Sequence, residues 1–243
     1  MKCVPRGISF ISTATARLGA GGGGGRQTLQ HFNSRIRLQQ KSAKMKKAQR
    51  YDYFLVLDFE ATCDDGKKIN PQEIIEFPVL KVNAKTYEVE DTFQQFVRPV
   101  HHPNLTAFCT HLTTITQEEV NSAKVFQEVF QDFRQWMEEK VGLDKRFLFV
   151  TCGDWDLKTM LPSQCALYNI PVPPYCKVWL NIKKSYAIKK GDYVKGMYPM
   201  LDGLNLKAVG TPHRGIDDCK NIANILRALA NLQCEFLPTY YVE

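Results

Sequence analysis

Apolar residues beyond position 50 fall first into short unbroken runs and later into helical spacing. Tyr53-Phe54-Leu55-Val56-Leu57 has the length and the Phe, Leu and Val content of a buried strand. Residues 73–83 and 86–98 read as two more strands, separated by a turn-like Asn83-Ala84-Lys85, so three strands form a meander. Residues 105–112 read as a short helix. Val125, Val129 and Phe133, flanked by Phe126, Phe130, Trp136 and Met137, recur at i, i+4 and predict an amphipathic helix ending near Gly142. A fourth apolar strand is expected over 146–151, a helix over 156–168, a loop over 171–175 and a fifth short strand over 177–182. Residues 186–199, rich in Gly, Lys and Tyr, read as a surface loop, and Cys219, Ala223, Leu226 and Ala230 mark a closing helix over 216–232.

Strands in a meander followed by strands alternating with helices predict an α/β domain with a mixed sheet flanked by helices. No internal repeat is visible. The length of 243 residues suits one domain with an appendage, at about 150 residues per domain. The expected organisation is a basic, Gly-rich, disordered arm over 1–50, a domain over 51–236 and a C-terminal tail over 237–243.

Charge changes this picture. The net charge is +7, yet residues 1–51 hold 11 Lys or Arg and no acid, which leaves 21 basic against 25 acidic residues beyond them. A mildly acidic body thus follows a basic arm. The opening of the arm, with Arg6 and Arg17 among Ser and Thr, has the character of a mitochondrial transit peptide, and an arm without function is the alternative. The eight cysteines form no C-x-x-C pair, so neither a zinc module nor a small disulfide framework is indicated. They point to an intracellular, reducing setting, in cytoplasm, nucleus or mitochondrion. No apolar stretch approaches the roughly 20 residues that cross a bilayer, so no membrane partner is expected.

The candidate chemistry starts where the first strand ends. Strand side chains alternate, so Asp58 and Glu60 share a face. Two carboxylates held side by side repel and lose hydration, an arrangement that cations relieve, and a pair of divalent metal ions is the candidate. A lone Asp-x-Glu is more often a strand running out into an acidic turn, so the rest of the chain decides. The fourth strand leads into Cys152-Gly153-Asp154-Trp155-Asp156. If it lies beside the first strand, Asp156, opening a helix, approaches Asp58 and Glu60, while Asp154 is read as a cap of that helix. A Gly- and Pro-containing loop then delivers His213 ahead of a helix whose first turn holds Asp217 and Asp218. One of these aspartates is expected to face the cluster and the other to cap the helix or meet solvent.

Together, Asp58-x-Glu60, Trp155-Asp156 and His213-x4-Asp218 resemble the signature of DEDDh-class 3′-to-5′ exonucleases of RNase H-like fold. The strings LDFEATCD, PQEIIEFPV, EDTFQQFVRP, FCTHLTTIT, GDWDLK, WLNIKKSY and PHRGIDDCKNIANI resemble the Eri (enhanced RNA interference, histone-mRNA-exonuclease-like) branch and its prion-interactor subgroup, over residues 51–236. The resemblance implies a five-stranded mixed sheet flanked by helices. It makes Asp58, Glu60, Asp156 and Asp218 metal-binding carboxylates, His213 the general base and Glu60 a catalytic residue. It also places Glu60, Ala61, Leu157 and His213 against the terminal nucleotide, with Phe108 and Trp155 holding its base.

The implied cofactor is a pair of Mg²⁺ ions, with Mn²⁺ as substitute, since Mg²⁺ takes oxygen ligands and retains waters. The implied substrate is a single-stranded RNA 3′ end or short overhang, shortened to 5′-mononucleotides by a monomeric catalytic domain. A deoxyribonuclease of the same fold and a non-catalytic RNA-binding scaffold are the alternatives. In the sister class a Tyr stands four residues before the last Asp; that position is Arg214 here, and His213 stands five before. One departure concerns Thr114, which occupies the place of Gly in the family's L-T-G-I string.

Overall fold

Phe54 and Val56 face one hydrophobic cluster while Leu55 and Leu57 face another, so strand β1, Tyr53–Leu57, is covered on both sides. That is why it reads as a continuous apolar run rather than an alternating one. The structure is a computed structural model that describes residues 47–241. The transit-peptide expectation and the expected 1–50 arm up to residue 46 lie outside the described residues.

Strand β2 (Glu60–Ala61) continues the line of β1, and both pair antiparallel with β3 (Ile74–Asn83), which pairs in turn with β4 (Val89–Phe96). On the other side, β5 (Phe147–Thr151) runs parallel to β1, and β6 (Val178–Asn181) parallel to β5. Strand β7 (Tyr240–Tyr241) closes the edge antiparallel to β6. The sheet has seven strands rather than five, because the two-residue pieces β2 and β7 complete it.

Among the described residues seven α-helices follow one another: α1 (Ala107–Thr113), α2 (Gln117–Asn121), α3 (Phe126–Trp136), α4 (Leu161–Leu167), α5 (Ile182–Lys190), α6 (Met197–Gly203) and α7 (Gly215–Asn231). Helix α3 presents Phe126, Val129, Phe130 and Phe133 to one face of the sheet, and a π-helical turn, Met137–Val141, carries it to Gly142. Helix α7 lays Ile222, Ile225, Leu226 and Leu229 on the opposite face. Both expected helices are thus present, and each buries the stripe its spacing predicts.

The expected loop over 186–199 is instead the end of α5, a short connection and the start of α6. Asn181 caps α5 by accepting a hydrogen bond from the Lys183 N–H at 3.1 Å, and Tyr186, Met197 and Met200 are buried against α7 and the sheet. The lysine-rich composition hid a few well-spaced apolar anchors. Contacts also reach beyond residues 51–236 at both ends. Gln49 donates to the Cys234 carbonyl at 3.0 Å and accepts from the Phe236 N–H at 3.0 Å. The expected tail supplies β7, where Tyr240 stacks on Trp179 with ring centroids 4.5 Å apart.

Candidate active site

Parallel pairing of β1 with β5 brings their carboxyl ends to one edge of the sheet, the usual place for ligands in α/β folds. Strand β1 breaks after Leu57 and resumes as β2 in the same register, with Leu57 opposite Val79 and Glu60 opposite Glu76. The break lies opposite Pro78, which has no N–H for a ladder. Asp58 and Glu60 therefore keep the phase of Phe54 and Val56 and share the face that α7 covers. The Phe59 N–H, free of the sheet, donates to Asp156 Oδ1 at 2.9 Å. That bond ties the carboxyl end of β1 to the π-helical turn Asp156–Met160 which leads into α4.

Asp218 enters from the first turn of α7. Its Oδ2 accepts from the His213 N–H at 3.1 Å, while its Oδ1 is buried with no hydrogen-bond partner. One donor atom each from Glu60, His213 and Asp218 lie within 4.8 Å of one another. His213 is exposed and adopts φ 57, a left-handed conformation uncommon outside glycine and a recurrent form of strain at functional sites. Asp217 turns elsewhere, accepting from the Thr211 N–H at 2.9 Å and pairing with Lys220 at 2.8 Å. Asp154 is not a helix cap: its Oδ1 accepts from the Trp179 indole at 2.9 Å, because β6 lies close enough to claim it.

Electrostatics set these acids apart from ordinary surface carboxylates. Burial pushes Asp58 well above the usual range, and the charges of Asp156, Glu60, Asp218 and Glu76 push further in the same direction. Glu60 is raised to about 9 by burial and then by Asp218, Glu76 and Asp156. Asp156 and Asp218 both rise to about 6, again chiefly through burial. A group of buried and half-buried hard oxygen donors, one of them lacking any partner, fits a divalent cation, and the fold implies dependence on one.

Three neighbours of the cluster escaped the sequence reading. Glu76, fully buried on β3, accepts from the N–H groups of Gly215 and Ile216 and from Gln94, and so caps the helix that carries Asp218. An acid inside the apolar run Ile74–Asn83 was the available signal. Gly215 packs so closely that a Cβ there would lie 2.8 Å from the Asp58 carbonyl oxygen. Arg214 pairs with Glu119 at 2.7 Å, donates to the Thr114 carbonyl at 3.2 Å and stacks 4.7 Å from the centre of Phe96. It thereby fastens the His213 loop to β4 and to the α1–α2 junction.

The remaining expected residues lie around this centre. Ala61 and Leu157 are buried, Phe108 on α1 is half-buried, and Trp155 is 40% exposed. Cys109, next to Phe108, directs its Sγ to the Ala61 carbonyl at 3.8 Å, which joins α1 to β2. Trp155 borders a cleft of about 490 Å³ shared with Thr62, Lys67, Asn70 and Thr159, and Phe108 does not line it. Among the described residues the two aromatic rings make no contact with each other.

Residues 55–226 match the exonuclease family RNase_T, and with the fold and the four carboxylates in place the chain belongs to that family, in its DEDDh class. It is 54% identical over 185 residues to ERI1 exoribonuclease 3 of Homo sapiens, a match covering 75% of this chain and 55% of that protein. The nuclease domain of 3′hExo, a DEDDh family member, bound to rAMP, is similar with a TM-score of 0.76 and 40% identity, covering 79% of this chain and 98% of that one. A 3′-exonuclease in 3′-end specific recognition of a histone mRNA stem-loop gives a TM-score of 0.76 at 37% identity, over 89% of this chain and 76% of that chain. The chain spans about half the length of the curated relatives it matches.

Proposed function

We propose that the protein is a 3′-to-5′ exoribonuclease that hydrolyses the terminal phosphodiester of single-stranded RNA ends and releases 5′-mononucleotides. The observation that carries this reading is the cluster of half-buried Asp58 and Glu60 with buried Asp156 and Asp218, and His213 at its rim. Asp58, Glu60, Asp156 and Asp218 would hold two Mg²⁺ ions, for which Mn²⁺ can substitute. When bound, such a pair supplies positive charge to both the attacking and the leaving oxygen at phosphorus.

The chain's own residues do the rest. A ring nitrogen of His213, exposed beside the carboxylates, accepts the proton of the attacking water, work that suits an imidazole. The Asp218–His213 backbone bond and the Arg214 clamp hold that ring at the cluster. Phe108 and Trp155 take the terminal base between them; such stacking is tolerant of sequence. The relative bound to rAMP supports a ribonucleotide at this place.

The test compares wild type with Asp58→Ala and His213→Ala on matched 5′-labelled RNA and DNA oligonucleotides, with Mg²⁺, Mn²⁺ or chelator. RNA shortening from the 3′ end that requires the metal, is abolished by Asp58→Ala and is severely cut by His213→Ala is the expected result. Full activity of either variant overturns the mechanism, and faster loss of DNA than RNA overturns the substrate.

A further inference from the structure

Three lysines gather beside the acidic cluster, around the carboxyl ends of β5 and β6. Lys158 reaches over the Tyr240 ring, 4.8 Å from its centre. Lys184 lies 5.9 Å from the same ring, 3.9 Å from Asp154 Oδ2 and 3.3 Å from the Thr239 carbonyl. Both have partners for their charge. Lys183 is different: it is half-buried in the first turn of α5, and among the described residues its ammonium makes no ion pair or hydrogen bond. Asp156 and Cys152 both sense its charge, yet it stays outside ion-pair distance of every carboxylate of the cluster.

A partly desolvated ammonium with no partner is unfavourable unless an anion completes it. Position 153 is glycine, and a Cβ there would lie 3.5 Å from Lys183 Nζ, so the ammonium stands directly over backbone that no side chain covers. Gly153 is two residues before Trp155 and three before Asp156. The free cation therefore sits against the segment that supplies both a base platform and a carboxylate of the reaction centre. An anion at this point, outside the carboxylates but next to them, must come with the substrate.

We propose that Lys183 binds a backbone phosphate of the RNA beside the scissile position, and that Lys158 and Lys184 extend this contact into a cationic strip along the upstream strand. The inference rests on the RNA reading above. It assigns to α5 the task of drawing a polyanion towards a centre whose acids would otherwise repel it.

The experiment measures binding of a 5′-fluorescein single-stranded RNA to the full chain by anisotropy, with Ca²⁺ as the sole divalent ion, over about 50 to 200 mM salt. Lys183→Ala is expected to weaken binding roughly tenfold whatever the base sequence, and to make the log–log salt dependence shallower by about 0.7, the share of one single-strand phosphate. Lys183→Arg should retain affinity, whereas Lys183→Met, which keeps the aliphatic stem, should bind as weakly as the alanine variant. Unchanged affinity and slope in Lys183→Ala, or wild-type binding by Lys183→Met, overturns the proposal. Wild type that binds RNA but never shortens it with Mg²⁺ or Mn²⁺ defeats the nuclease reading alone. Wild type that shortens RNA while Lys183→Ala binds normally defeats the phosphate contact alone, and wild type that fails to bind RNA defeats both.

Discussion

Glu76 Oε2 accepts the N–H of Gly215 at 2.8 Å, so a buried carboxylate on a central strand caps the helix that brings in Asp218. The same side chain adds to the field that raises Asp58 and Glu60, so two opposing effects meet in it. Removing it relieves repulsion but strands the N–H groups of Gly215 and Ile216 in the interior, while the exposed Gln94 amide it releases can turn to solvent. Each stranded buried group costs about 1–3 kcal/mol, which outweighs the relief. Glu76→Ala is therefore expected to lower the thermal midpoint and to cut nuclease activity. A raised midpoint would mean that repulsion dominates.

Gly215→Ala tests the close approach of α7 to β1. The new methyl would lie 2.8 Å from the Asp58 carbonyl oxygen and 3.0 Å from Pro78 Cγ, so the helix must retreat. Overpacking of this kind costs about 1–3 kcal/mol. The retreat also moves Asp218 away from Asp58, and misplacement near 1 Å can cost about a hundredfold in rate. Activity should thus fall far more than chemical denaturation shows stability to fall; equal, small losses would contradict this.

Metal-free protein should become less stable as pH rises. Folded-state carboxyl groups at about 6 for Asp156 and Asp218, and at about 9 for Glu60, lie above the unfolded values of about 4. The folded state binds these protons more tightly, so their stabilisation is complete below the unfolded values and is lost as pH climbs through the folded ones. Differential scanning fluorimetry in chelator should show a midpoint falling from pH 5 to pH 9. Excess Mn²⁺ should flatten that fall. Asp218→Asn should raise the metal-free midpoint at pH 8 and shrink the response to Mn²⁺.

Much of this was legible in the chain because the strands that hold the centre are apolar runs bounded by acids. Asp58 directly follows β1, Glu60 opens β2 and Asp156 opens the helical turn after β5, and parallel pairing of β1 with β5 places them together. Glu76 was not legible as a cap, since its partner N–H groups lie 139 and 140 residues away and nothing local marks them. Helices α5 and α6 were hidden for a different reason: four lysines dominate α5, α6 is only seven residues long and carries a Pro and a Gly, and only a few apolar anchors of each meet the core. Strand β7 escaped because a two-residue strand has no period to detect, and Tyr240 is recruited by stacking on Trp179.

The backbone at Thr114 accounts for the family's Gly, and nothing in the structure explains the Thr. It follows α1 with φ 60, a left-handed C-cap, and its N–H donates to the Thr110 carbonyl. Glycine reaches that conformation freely, whereas a β-branched residue is strained by about 1–2 kcal/mol there. Thr114→Gly removes the strain but adds freedom to the unfolded chain, so a net gain of about 0.5–1 kcal/mol is expected in urea denaturation. The Arg214 bond is to the Thr114 carbonyl and survives the change, so activity should hold. A loss of stability would show that the Thr114 side chain contributes packing that outweighs its strain.

Trp155 offers the sharpest separation of binding from chemistry. Its ring is 40% exposed while the residue after it, Asp156, is buried and tied to the Phe59 N–H. Truncating the ring therefore removes a stacking surface without loosening the carboxylate. Base–aromatic stacking contributes about 1–3 kcal/mol, so Trp155→Ala should raise KM for RNA by roughly 5- to 150-fold. Trp155→Phe should recover most of that loss, and the rate at saturating RNA should change much less than KM. Steady-state kinetics on a homopolymeric RNA series resolve the two parameters. A fall in kcat with KM unchanged would instead place Trp155 in alignment of the reacting phosphate.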